Sequence, residues 1–213
     1  MKWTILGSAC LSMAFLASCG QPASKEDTTG PDLPGLVSVE GDFATNLQTA
    51  LIEAEPGSTV RLPEGHFKLE TGLSLDVNGV TLMGAGEDKT ILDFAGQTGA
   101  GEGLLVTSDG VTLTGFAIRD TKGDGIKSKG ADRITYRDLT VEWSGDPEET
   151  NGAYGVYPVE SQDVLVENVT VRGASDAGIY VGQSNNIIVR NSLAEFNVAG
   201  IEIENSMHAD VYG

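Results

Sequence analysis

The sequence is short of cysteine, basic residues, aromatics and long apolar stretches, and each shortage removes a class of protein. Cys10 and Cys19 are its two cysteines. That excludes a disulfide-stapled framework and any zinc site needing several thiolates. The 13 Lys and Arg stand against 31 Asp and Glu, for a formal net charge of -18. Such a surface repels polyphosphate, so nucleic acid is excluded as a partner. Aromatics make up 6 % of the chain. No phosphate loop, zinc pattern or nucleophile elbow occurs. What is abundant is glycine, at 28 residues, together with β-branched side chains. The two favour turn-rich β structure over long helices.

The N-terminus is a different material. Met1-Lys2 is a short positive start, and Trp3 to Phe15 is apolar but too short to span a membrane. It ends in "LASC", Leu16 to Cys19, which resembles the bacterial lipobox. The resemblance implies that residues 1–19 are a lipoprotein signal peptide whose Cys19 thiol receives a diacylglycerol. Contact with membrane is then through a lipid anchor only, held stably by two or more acyl chains. Gly20 after the cysteine implies the outer membrane, so a bacterial cell-envelope location is expected, periplasmic or surface-facing, with an envelope protein as a further partner. Residues 20–38, which include "QPASKEDTTGPDLPGL", hold three prolines and few apolar side chains. They read as a flexible tether.

Residues 39–213 form the third segment. Phe43, Leu47, Ala50, Leu51 and Ala54 make one helical stripe, with Asp42 or Thr45 as N-cap and Pro56-Gly57 as the stop. Beyond it the chain repeats. Gly103-Leu104, Gly125-Ile126, Gly155-Val156, Gly178-Ile179 and Gly200-Ile201 open successive units at spacings of 22, 30, 23 and 22 residues. A second strand follows in each unit, and near its end stands a column of Gly115, Asp138, Asn168 and Asn191. A period of this length without helices predicts a β-solenoid, each unit one coil in parallel register with the next. Leu104, Ile126, Val156, Ile179 and Ile201 are then a stacked inward column. The Asp138-Asn168-Asn191 column suits a tight turn with left-handed geometry and side-chain bonds between coils. The single helix is expected to cap the N-terminal end. "MHADVYG" stops inside a second strand without a polar cap, which reads as a β-helix domain truncated at the C-terminus.

"AEPGSTVRLPEGHF", "GVTLMGAG" and the coils that follow resemble the right-handed parallel β-helix proteins of the pectate-lyase-like superfamily. "GDGIKSKGADRITYRDLTVEWSG", "NGAYGVYPVES" and "GIYVGQSNNIIVRNS" are similar, more narrowly, to a family of bacterial β-helix-repeat lipoproteins. The resemblance implies an all-β fold, a right-handed parallel β-helix with an N-terminal capping helix. The superfamily hosts lyases, hydrolases, epimerases and plain binders, so fold alone does not set activity.

Strand alternation puts Leu105, Lys127, Tyr157, Tyr180 and Glu202 in one outward row, and Thr107, Lys129, Val159, Gly182 and Glu204 in the next. Tyrosine rings pack on sugar rings and lysine meets a uronate carboxylate. Lys127, Tyr157, Tyr180, Glu202 and the nearby Trp143 are thus the candidate ligand-binding residues, for a polysaccharide or acidic glycan. The insertion "WSGDPEETNGAY" should bulge beside Lys127 and Tyr157. Its Asp146, Glu148 and Glu149 form a candidate calcium site, although no cofactor is required. Trp143 reads equally as an anchor for this loop.

For catalysis by a lyase or epimerase, Lys127 or Lys129 would be the base, given a lowered pKa, and Tyr157 or Tyr180 the acid. Asp124 and Asp146 are the conceivable carboxylate pair for hydrolysis. The tight aspartate clusters of the superfamily's hydrolases and the calcium stack of its pectate lyases are missing. His66, in "PEGHF", reads as a surface or turn histidine. Binding of polysaccharide is the first expectation, a lyase or epimerase the second, and a protein-interaction scaffold the third.

Overall fold

The computed structural model describes residues 34–213, apart from 100 and 146. Cys19, the signal peptide and nearly all of the tether lie outside the described residues, as does Asp146. Among the described residues no helix is long and apolar enough to cross a membrane.

Every strand pairing is parallel, and the strands wind into a solenoid with three faces. The first face stacks six strands in the order Leu73–Leu75, Leu104–Val106, Ile126–Lys129, Val156–Val159, Ala177–Gly182 and Ala199–Glu204. The second and third faces share longer strands, Thr112–Arg119, Thr135–Glu142 and Gln162–Arg172, each bent midway. The bend explains the polar column seen in the sequence. Gly115, Asp138, Asn168 and Asn191 occupy equivalent positions at φ of 72°, 50°, 54° and 50°. A single left-handed residue turns the chain without ending the ladder, so the expected tight turn is a bend between two faces. Asn168 Nδ2 donates to Asp138 Oδ1 on the preceding coil at 2.5 Å.

Two further left-handed columns were not anticipated. Gly130, Glu160, Gln183 and Asn205 leave the first face, and Arg133, Asp163, Asn186 and His208 enter the second. Asn186 Nδ2 bonds Asp163 Oδ1 at 3.0 Å, repeating the Asn–Asp rung. These corners accept Arg, Glu, Gln and His, which do not read as turn residues in a sequence.

The inward column is as expected. Leu104, Ile126, Val156 and Ile179 are fully buried and in register, with Ile201 partly buried at the last rung. The glycine that opens each coil has a steric reason. A Cβ on Gly155 would lie 2.2 Å from Val171 Cγ1 and 2.7 Å from Gly178 O, and on Gly125 it would lie 2.3 Å from Val141 Cγ1. Valines of the third face reach across the corner into the space the glycine leaves.

The helix, Phe43–Ile52, has Asp42 as N-cap, with its carboxylate accepting from the Thr45 N–H at 3.3 Å. It buries Phe43, Leu47 and Leu51 and stacks Phe43 on Phe67 at 3.8 Å between ring centroids. Gln48 completes the cap. Its amide donates to Ser74 O at 3.0 Å and accepts from Ser74 N–H at 2.9 Å, satisfying the edge strand of the first face.

Candidate functional site

The first face places the outward row as the alternation predicts. Leu105 pairs with Lys127, Lys127 with Tyr157, and Tyr180 with Glu202, while Val156 pairs with Ile179 and so aligns Tyr157 with Tyr180. Successive rungs are about 4.8 Å apart. Lys129 is exposed one row over, beside Val159.

A third ring joins the two tyrosines. Tyr154, at the end of the insertion, lies 4.8 Å from Tyr157 and 4.6 Å from Tyr180 between centroids, and Tyr157 meets Tyr180 edge-on at 5.2 Å. The insertion is strapped down so that this ring returns to the sheet. Gly125 N–H donates to Tyr154 O at 2.8 Å, Asp124 Oδ1 accepts from Tyr154 N–H at 3.2 Å, and Asn151 Nδ2 donates to Gly173 O at 2.7 Å. Glycine makes room for a second contact. A Cβ on Gly182 would come within 2.9 Å of the Tyr180 ring, whose hydroxyl donates to Glu204.

Trp143 is not part of this surface, which corrects its place among the ligand-binding candidates. It is 7 % exposed, and its indole N–H donates to Thr121 O at 2.7 Å. A Cβ on Gly152 would stand 2.7 Å from its ring, so the tryptophan anchors the insertion from beneath. Glu148 and Glu149 are exposed, and Glu148 accepts from the Thr150 hydroxyl at 3.2 Å. Among the described residues no three His, Cys, Asp or Glu side chains are grouped to hold a metal ion. Asp146 lies outside that description.

Lys127 is committed. Its Nζ sits 3.4 Å from Glu102 and 3.5 Å from Asp124, and 4.8 Å from the centroid of the Tyr157 ring. Burial pulls its pKa down, but Asp124 and Glu102 outweigh burial and the net shift is upward. The lowered pKa required of a catalytic base is therefore the reverse of what this environment produces. Asp124 is the more buried partner, at 12 % side-chain exposure against 25 % for the lysine. Burial raises its pKa despite the lysine and the Tyr154 N–H. Both shifts upward are consistent, because the carboxylate pays more desolvation than the pair returns.

The phenols of Tyr154 and Tyr180 are held protonated. Burial, followed by the nearby Asp176 carboxylate, pushes Tyr154 up to about 12. The bond to Glu204, and burial after it, pushes Tyr180 higher still. The face is thus a cluster of hydroxyl donors and aromatic edges rimmed by Glu102, Asp124, Asp176, Glu202 and Glu204. Tyr154, Glu102 and Glu204 were missed as site residues. Glu102 and Tyr154 share one signal, since each directly precedes the glycine that opens a coil, as Asp124 does.

The right handed beta helix region family model matches residues 78–211, well over half of the chain. The chain belongs to that family. Among solved structures, this β-helix is similar to the catalytic domain of a GH87 alpha-1,3-glucanase in complex with tetrasaccharides. The TM-score is 0.59 at 16 % identity, covering 84 % of this chain and 32 % of that one. It is also similar to an alginate lyase from Paenibacillus sp. str. FPU-7, at TM-score 0.49 and 23 % identity, covering 76 % of this chain and 63 % of the lyase. A third is the Azotobacter vinelandii mannuronan C-5 epimerase A-module, at TM-score 0.48 and 17 % identity, covering 75 % of this chain and 55 % of the module. Identities this low speak to the path of the backbone and not to chemistry. No curated protein sequence matches the chain.

Proposed function

We propose that this β-helix binds polysaccharide on its first face. One observation carries the reading: Tyr157 and Tyr180 on adjacent rungs of an outward sheet face gather with Tyr154 from the end of the insertion, all three half-buried, with centroids 4.6 to 5.2 Å apart. A structural role does not call for three phenols there, since the bore is filled from the other side of the sheet. Their rings offer apolar contact and their hydroxyls offer bonds, the combination that sugars require. The GH87 alpha-1,3-glucanase domain of similar fold was solved in complex with tetrasaccharides, which is in keeping with a glycan as the ligand class. Binding to an immobilised glycan panel, lost in Tyr157→Ala with the circular dichroism spectrum unchanged, tests the reading. No signal on any polymer would sink it.

A second reading, lyase or epimerase, draws on the protonated Tyr180 hydroxyl fixed by Glu204. In a lyase that phenol would donate its proton to the departing glycosidic oxygen. The carbon beside the uronate carboxylate would lose its proton to a base as the new double bond forms. Asp124 suits that base better than Lys127, whose charge is held by two carboxylates. Release of unsaturated uronate absorbing in the ultraviolet, abolished by Tyr180→Phe, is the measurement. Lipid anchoring at Cys19, and with it an outer-membrane site in the cell envelope, belongs to the same proposal and rests on the "LASC" motif and the Gly20 that follows it. Radiolabelled palmitate should enter the protein and fail to enter Cys19→Ser.

A further inference from the structure

Each half of the tyrosine cluster brings an aromatic ring together with two carboxylates. In the first half the ring is Tyr157 and the carboxylates are Glu102 and Asp124. An ammonium sits among them: Lys127 Nζ is 3.4 and 3.5 Å from the carboxylates and 4.8 Å from the ring centroid. In the second half Tyr180 pairs in register with Glu202, and its hydroxyl bonds Glu204. Glu202 is half-buried and Glu204 exposed. Among the described residues no lysine, arginine or histidine forms an ion pair with either glutamate. The Tyr180 half therefore carries a ring and two carboxylates with no cation supplied by the described residues.

From this we infer that the first face selects a glycan bearing free primary amines, a de-N-acetylated hexosamine polymer, over a polyuronate. The inference rests on the glycan-binding reading above and names the ligand class within it. A protonated sugar amine set over Tyr180 between Glu202 and Glu204 would repeat the arrangement that Lys127 already makes with Tyr157. Its three N–H donors match carboxylate and hydroxyl acceptors, and its charge is attracted to the ring face. Uronates meet the opposite situation. Among the described residues, the one lysine within reach of the rings is already shared by two carboxylates, Lys129 stands a row away, and five carboxylates rim the cluster. A chain of -18 net charge adds a long-range field of the same sign.

The test is isothermal titration of the purified chain with three oligosaccharides of equal length: glucosamine, N-acetylglucosamine and mannuronate. Glucosamine oligomers should bind tightest, the acetylated ones about tenfold more weakly and the mannuronate weakest. The double variant Glu202→Gln/Glu204→Gln should lower the glucosamine affinity about tenfold or more and leave the acetylated oligomer within about twofold. A double variant matched in charge, Glu53→Gln/Glu55→Gln on the distant helix end, should change neither. Mannuronate binding as well as glucosamine, or equal losses in the two double variants, would overturn the inference. Acetylated oligomers binding as tightly as glucosamine would overturn it while leaving the glycan face intact. If none of the three binds, the inference falls, and the glycan panel decides whether the face reading falls with it.

Discussion

The first face and the other two rise on the same rungs yet treat their polar residues in opposite ways. On the third face Arg119, Glu142, Arg172 and Glu195 occupy one row, with contacts of 2.7, 4.0 and 2.6 Å. On the second, Glu167 lies between Arg137 at 2.8 Å and Arg190 at 2.6 Å. Signs alternate from coil to coil, so each charge finds its partner in the neighbouring coil. The first face runs Lys127, Tyr157, Tyr180, Glu202, and its chemistry changes at nearly every step. A ladder that alternates satisfies itself, whereas a row that does not keeps bonding capacity for something else. Function on a solenoid is to be sought where the rhythm breaks.

The severest test removes both kinds of face together. Gly155→Ala would drive a methyl into Val171 and the Gly178 carbonyl where first and third faces meet. It should cost about 3 kcal/mol, read as a fall in the urea midpoint. Wild-type stability would show that coil spacing is softer than described.

Next in size is the separation of binding from stability. Tyr157→Ala should weaken glycan binding about tenfold or more, while Arg172→Ala on the third face leaves it unchanged. Equal effects would erase the distinction between the faces.

The faces should also fail at opposite ends of the pH scale. Tyr154 is raised from 10.0 to about 12 by burial and by Asp176. Its contribution is complete below pH 10 and lost as pH climbs from there through 12, because the unfolded phenol ionises first. Glu167 is held below its ordinary 4.5 by its bonds to Arg137 and Arg190. Its contribution is complete above pH 4.5 and lost as acid carries the pH down through the lowered value. Urea denaturation between pH 3 and 11 should show a shallower alkaline limb in Tyr154→Phe and a shallower acid limb in Glu167→Gln. Both variants changing the same limb would contradict the assignment.

The smallest effect is expected from Glu142→Gln, which leaves Arg119 and Arg172 facing a neutral amide. Half-buried pairs at the surface, open to solvent on one side, are worth about 1 kcal/mol or less, measurable as a slight loss of thermal midpoint with no change in binding.

Much of this was legible in the sequence because a solenoid turns spatial stacking into linear periodicity. The Gly-aliphatic openings gave the inward column and the register of the outward row. Asp138, Asn168 and Asn191 gave one left-handed corner. The corners at Glu160, Gln183, Arg133 and His208 were hidden, since tertiary context holds those residues at positive φ against their preference. The insertion was hidden for a different reason. Its length shows in the 30-residue spacing, but its path depends on Trp143 turning inward and Gly152 fitting against it. That path alone carries Tyr154 back to the sheet. The charge state of Lys127 was illegible as well, because Glu102 belongs to the preceding coil, 25 residues away.

The insertion has one more consequence. The coil that contains it is eight residues longer than its predecessor, 30 against 22, yet Lys127 still pairs with Tyr157 and Lys129 with Val159 without slippage. Additional length is spent sideways and never along the axis. The first face is in effect a ruler graduated at about 4.8 Å, whose marks stay fixed while material is added at its edge. Loops grafted between Ser144 and Asn151 could therefore be varied in length and content, and the side chains they meet would keep the same calibrated spacing.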